Sequence, residues 1–201
     1  MDVAIIDYGL GNVASLQKII NYLGRTSEIT NDAEIIRKAK FIFLPGVGSF
    51  GEGMKNLKKF NLIDVLNEEV LINKKPFFGI CLGMQLLARK GFESGENDGL
   101  GWIEGEVVKI EYEGLYVPHL GWNNLKNCKS IFESFEDKDF YFIHSYHLVL
   151  DNINDLCATV DYGKELTAAI KVGNIFATQF HPEKSQTVGL ELLESFFKYY
   201  D

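Results

Sequence analysis

Three short apolar runs in the first eighty residues, at 3–6, 41–44 and 77–80, limit what this chain can become. None carries a polar side chain. Uninterrupted runs of this kind mark strands buried on both faces, and a sheet of such strands is parallel and wrapped by helices. The intervals between them read as helices. Val13, Leu16, Ile19, Ile20 and Leu23 recur at helical spacing, with Gly24 as the stop. A strand at 27–30 and a short helix at 33–39 lead to the second run, and two helical stretches within 52–71 lead to the third. The predicted order is β-α-β-α-β-α-β-α, an α/β fold with a mainly parallel, flavodoxin-like sheet. In such sheets ligands bind beyond the carboxyl ends of the strands. The Tyr8–Asn12 turn, the Pro45–Gly48 loop and Cys81 all fall at such ends and can share one crevice. Gly9 and Gly11 lack the third glycine of a dinucleotide loop, since position 14 is Ala, so nucleotide binding has weak support there.

The third run delivers a lone cysteine flanked by glycines, in Gly79-Ile80-Cys81-Leu82-Gly83. This is the cysteine form of a nucleophile elbow: small neighbours let the backbone turn sharply and expose the sulfur. A helix is predicted to start at once and run toward Ala88, so that free N–H groups and a positive dipole end favour a thiolate. A nucleophilic thiol needs a base and a group that orients the base. His181-Pro182-Glu183 supplies both, in a loop after an apolar strand. A tetrahedral intermediate also needs backbone N–H donors. Pro45-Gly46-Val47-Gly48 can turn one toward it, and the Leu82 N–H is the natural second. Each motif taken alone also fits a bland reading, as a core cysteine, a surface loop and an ordinary turn.

Past Ala88 a Gly, Glu, Asn and Asp loop covers 92–101, followed by short strands at 106–112, 139–143, 156–160, 167–171 and 175–179. These should extend or flank the sheet, partly antiparallel. Ser185 is placed to cap a final helix bearing Val188, Leu192, Leu193, Phe196 and Phe197 on one side. One domain over residues 1–201 is expected. A net charge of −8 without a basic cluster argues against nucleic acid as a partner. The N-terminus lacks the features of a signal peptide, and no apolar run approaches the ~20 residues that span a bilayer. Cys81, Cys128 and Cys157 match no disulfide or metal framework. The expectation is a cytoplasmic protein with no metal, no organic cofactor and no membrane contact. Cys128 reads as an exposed loop thiol, Cys157 as core, and His119, His144 and His147 as structural or supporting.

The stretches K-P-F-F-G-I-C-L-G-M-Q, L-P-G-V-G-S-F and Q-F-H-P-E-K-S resemble the three signatures of class I (triad-type) glutamine amidotransferases. Within that class, D-Y-G-L-G-N, V-P-H-L-G-W-N and Y-F-I-H-S-Y resemble the glutaminase subunit of imidazole glycerol phosphate synthase. The likeness runs from the first strand to the last helix. It implies glutamine hydrolysis through a thioester on Cys81, with His181 as base and then acid and Glu183 orienting it. It implies an oxyanion hole from Val47, Gly48 and Leu82, and glutamine held by Gly48, Gln85, Ser145 and Tyr146. The ammonia would pass into a separate (βα)₈ synthase (cyclase) subunit of histidine biosynthesis, in a heterodimer that awakens the glutaminase by rearranging residues 45–48. Asn12, Trp122, Asn123, Tyr141 and Lys184 match the partner-facing and ammonia-passage positions. Bottom-up, Trp122 fits a partly exposed anchor or a core residue equally well. His147-Leu148-Val149-Leu150-Asp151 departs from the subfamily pattern. That leaves open a sibling glutaminase whose barrel partner amidates a nucleotide-linked sugar for surface polysaccharide. A non-catalytic scaffold is the reading from another class.

Overall fold

The computed structural model of the chain describes residues 1–112 and 114–201. The N-terminal half alternates as expected: β1 (Val3–Ile6), α1 (Val13–Tyr22), β2 (Ser27–Thr30), α2 (Ala33–Lys38), β3 (Phe41–Gly46), α3 (Phe50–Lys59), α4 (Leu62–Leu66) and β4 (Phe77–Cys81). Asp32 caps α2, its Oδ1 accepting from Glu34 N at 2.7 Å. After α4 the helix widens into a π turn over Asn67–Ile72.

The helix predicted after Cys81 is a single turn, α5 (Leu82–Gln85). Met84, Leu86 and Leu87 are all fully buried, so this stretch has no solvent face of the kind a surface helix needs. Leu86 O and Leu87 O accept instead from Leu100 N at 2.8 Å and Trp102 N at 2.9 Å. The chain leaves the turn as β5 (Ala88–Gly91), followed by β6 (Asn97–Asp98) and β7 (Ile103–Lys109), the last shifted from the predicted 106–112. Then come β8 (His119–Lys126), β9 (Asp139–His144), β10 (Tyr146–Leu150), β11 (Leu156–Asp161), β12 (Glu165–Val172), β13 (Ile175–Thr178) and α6 (Gln186–Tyr200). Strands β5, β6, β8 and β10 were not anticipated.

The strands form a nine-stranded sheet, β2-β1-β3-β4-β13-β12-β11-β8-β9, and a smaller one, β10-β7-β5-β6. From β2 to β13 the large sheet is parallel; from β13 to β9 each pairing is antiparallel. Successive side chains of the parallel strands feed opposite cores. Phe43 and Phe78 stack at 5.5 Å on the side of α1 and α6, where Phe196 meets Phe78 edge-on at 4.9 Å. Such aromatic pairs add about 0.5–1.5 kcal/mol each beyond their buried area. Ile42, Leu44 and Phe77 pack on the other side with Leu57, Leu62 and Leu66. Among the described residues no helix is long and apolar enough to cross a membrane.

Cys157 is buried in the core as expected, but Cys128 is half-buried rather than exposed. Burial first, then the neighbouring Glu136, push its thiol up to about 12. Ser185 precedes α6 without capping it through its side chain. Its hydroxyl is committed elsewhere.

Candidate active site

Strand β4 ends at Cys81 with φ 53° and ψ −109°, a conformation that side chains rarely adopt. Gly83 makes the elbow possible. A Cβ there would lie 1.8 Å from the carbonyl oxygen of Leu44. The turn after the nucleophile therefore presses directly on the backbone of β3. Cys81 is nearly buried, with Gln179 Nε2 3.6 Å and the Ile143 carbonyl 3.9 Å from its sulfur.

The base arrives on the adjacent strand. β13 runs parallel to β4 with Thr178 opposite Ile80, so the loop after it emerges beside the elbow. His181 Nδ1 donates to Glu183 Oε1 at 2.8 Å, and both side chains are shielded from solvent. His181 Nε2 has no protein hydrogen-bond partner among the described residues and shares one cleft with Cys81. Burial alone would lower the imidazole pKa. The Cys81 sulfur and the Glu183 carboxylate outweigh it and raise the value to about 10. Ser185 holds this loop in place: its Oγ donates to His181 O at 2.7 Å and accepts from Tyr141 N at 3.0 Å.

The third wall is the loop after β3, in register with the elbow through Gly46 opposite Cys81. Gly48 sits at φ +109°, open to glycine and strained for other residues. The N–H groups of Val47 and Gly48 have no intramolecular acceptor among the described residues. Leu82 N–H opens the α5 turn, where first-turn donors have no intrahelical partner. Together these loops enclose a cleft of about 610 Å³ that also takes in Gln85, Ser145, Tyr146 and Lys184. Of the residues read from the sequence as triad, oxyanion donor or glutamine contact, all but Glu183 line this one cleft. Glu183 lies behind it, bonded to His181. The arrangement can take a proton from a thiol, hold the resulting imidazolium and stabilise an oxyanion.

Gln85 Nε2 donates to Tyr146 O and Gln179 Oε1, both at 2.9 Å, and its own Oε1 has no hydrogen-bond partner among the described residues. The sequence reading missed Glu93 and Gln179; His144, read as structural or supporting, lies in the cleft wall. Glu93 lines the cleft and accepts from Phe50 N at 2.8 Å. It lay in a loop with several acids and nothing to single it out.

Of the predicted partner-facing residues, three cluster. Trp122 is 48% exposed and lies opposite Tyr141 across β8 and β9, with rings 6.0 Å apart. Lys184 Nζ lies 5.8 Å over the Tyr141 ring. Asn123 is next along β8, its Nδ2 donating to Asp161 O at 2.9 Å. Asn12 sits apart, ahead of α1 at the carboxyl end of β1. The exposure of Trp122 rules out its core reading.

The family described as glutamine amidotransferase class-I matches residues 4–199 of this chain. "Imidazole glycerol phosphate synthase subunit HisH 1" of Campylobacter jejuni strain RM1221 is 46% identical over 98% of this chain and 99% of its own. The HisH 2 subunit of Methanococcus maripaludis is 45% identical over 98% of each chain. The HisH subunit of Aquifex aeolicus is 43% identical over 98% of this chain and 96% of its own. Among solved structures, a glutamine amidotransferase superposes with a TM-score of 0.74 at 20% identity, covering 98% of both chains. PurLQS from Thermotoga maritima gives 0.74 at 17%, covering 100% of this chain and 99% of that one. At those identities the likeness concerns the fold.

Proposed function

The chain belongs to the class I glutamine amidotransferases, and within them to the HisH subunits of imidazole glycerol phosphate synthase, and from that membership we propose its reaction and partner. It is a glutaminase, and residues 1–201 act as one amidotransferase domain. Cys81 attacks the side-chain carbonyl of L-glutamine, and the thiol proton passes to His181. The tetrahedral oxyanion is held by N–H groups of Val47 or Gly48 and of Leu82. His181, oriented by Glu183, returns the proton to the leaving nitrogen. Ammonia departs, and a Cys81 thioester remains. Water activated by His181 then frees glutamate. Gly48, Gln85, Ser145 and Tyr146 hold the substrate, and Glu93 places a carboxylate where the α-ammonium can pair with it. The ammonia goes to a (βα)₈ synthase subunit docked over Asn12, Trp122, Asn123, Tyr141 and Lys184, in the cytoplasmic histidine pathway.

The observation that carries this reading is the 2.8 Å His181–Glu183 pair, with its free Nε2 in the cleft that holds the strained Cys81. The test is glutamate release by wild type and Cys81→Ala, each alone and then with the histidine-pathway barrel and its ribotide ligand. A ligand-dependent rise that Cys81→Ala abolishes is expected. Turnover only with a barrel that amidates nucleotide-linked sugars would move the acceptor to the sibling pathway. No Cys81-dependent glutamate under any pairing would overturn the reaction itself.

A further inference from the structure

Two histidines outside the triad join β8 to the substrate cleft. Asn123 Nδ2 lies 3.2 Å from His119 Nε2, His119 Nδ1 lies 3.0 Å from His144 Nε2, and His144 Nδ1 lies 2.9 Å from the Tyr146 carbonyl oxygen. The direction of this series is fixed from both ends. Asn123 Oδ1 accepts from Asn124 N at 2.9 Å and its Nδ2 donates to Asp161 O, so the remaining Nδ2 hydrogen faces His119. His119 Nε2 is then an acceptor, and its proton sits on Nδ1. From the other end, a carbonyl oxygen only accepts, so His144 carries its proton on Nδ1 and receives at Nε2. The two deductions meet at the His119–His144 contact and agree. Protonating His144 would set N–H against N–H there, and protonating His119 would do the same against Asn123 Nδ2.

The series does not stop at Tyr146. That carbonyl accepts a second bond from Gln85 Nε2 at 2.9 Å; Gln85 Nε2 also donates to Gln179, whose Nε2 reaches the Cys81 sulfur at 3.6 Å. Both lone pairs of Tyr146 O and both hydrogens of Gln85 Nε2 are thereby used. The His119 ring cannot swivel, since it stacks between Phe142 at 4.8 Å and Tyr162 at 4.0 Å. His144 itself forms part of the cleft wall. We propose that His119 and His144 are positioning residues for the glutaminase reaction. As two neutral Nδ1–H imidazoles in series, they tie the Asn123 surface of β8 to the Tyr146 carbonyl and set Gln85 for substrate. This rests on the glutaminase reading. Burial keeps both rings uncharged at neutral pH, lowering His119 to about 4 and His144 to about 3. Anything that grips β8 at Asn123 acts on the first donor of this chain.

Nitrogen NMR of the full-length protein, labelled in its four histidines, reads the tautomers directly at neutral pH. Assignment comes from His119→Asn. Both rings are expected as neutral Nδ1–H, the tautomer that free imidazole side chains disfavour. An Nε2–H or imidazolium signal for either ring overturns the proposal, whatever the protein's activity. The functional arm compares His119→Phe, which keeps the stack, with His119→Asn, which keeps a donor near the Nδ1 position. With the barrel partner present, His119→Phe should raise the glutamine KM about tenfold while kcat changes far less, the scale of one lost buried hydrogen bond. His119→Asn should recover most of that. Wild-type KM in His119→Phe, or no recovery in His119→Asn, overturns the positioning role. Absence of glutamate from wild type would instead sink the glutaminase reading and leave the tautomers standing.

Discussion

Replacing Gly83 by Ala should separate the elbow's geometry from its chemistry, because no reacting group is removed. The added methyl would lie 1.8 Å from Leu44 O, and contacts under 3.0 Å essentially do not occur. The obstacle is backbone on the central strand β3, so it cannot rotate away as a side chain would. The α5 turn must move off β3 by more than 1 Å, and Leu82 N–H and Cys81 move with it. Overpacking of this kind costs about 1–3 kcal/mol, or roughly 2–12 °C in melting temperature for a chain of this size. A displacement of about 1 Å at the reacting atoms costs on the order of 100-fold in rate. The assay is partner-stimulated glutamate release alongside thermal melting, with Gly24→Ala as control. Gly24 has φ +79° and nothing within 4 Å of a new Cβ, so that variant carries strain of about 1 kcal/mol far from the cleft. Gly83→Ala should lose about two orders of magnitude in kcat at temperatures where it remains folded. Gly24→Ala should melt about 2–4 °C lower and turn over normally. Activity of Gly83→Ala within twofold of wild type would refute the account of the elbow.

The raised pKa of His181 makes stability depend on alkaline pH. A group whose folded pKa is raised from 6.5 to about 10 contributes fully below pH 6.5, and that contribution fades as pH climbs toward 10. Cys81→Ala removes the sulfur that raises it most, so the urea midpoint of wild type should fall further than that of Cys81→Ala between those limits. A difference between the two that stays constant with pH would contradict the pairing. Trp122→Ala should weaken binding to the barrel subunit by about 30-fold or more, as truncating an exposed interface anchor does, and leave melting unchanged. Titration calorimetry would show it, and unaltered affinity would remove Trp122 from the interface.

The parallel half of the sheet was readable because β1, β3 and β4 are apolar throughout, and only a doubly covered strand tolerates that. The antiparallel half hid for the opposite reason. In β8 the buried positions include His119 while Leu120 and Trp122 face out, so the usual in-out pattern is inverted there. The stretch after Cys81 misled because complete burial resembles a helix until its carbonyl partners are known. Cys81, His181 and Glu183 stood out because reactive side chains sat beside backbone punctuation. Gln179, His144 and Glu93 matter through what they bond to, and a bond to a distant residue leaves no period in the sequence. Ser185 was the subtler case: a residue well placed to cap a helix spends its hydroxyl on the loop carrying the base.

The place of β13, between β4 and β12 in the middle of the large sheet, has a consequence for how the protein is made. A ribosome delivers β4 and the nucleophile long before it delivers β13. Until Ile175–Thr178 emerges, the hydrogen-bonding edge of Phe77–Cys81 stands open and apolar, the kind of edge that recruits other chains. A nascent chain stalled before that point carries the thiol without its base and without the strand that covers it. Emergence of β13 and the loop after it therefore closes the edge and brings the base to the cysteine together, and products truncated before that point should be chaperone clients rather than stray glutaminases.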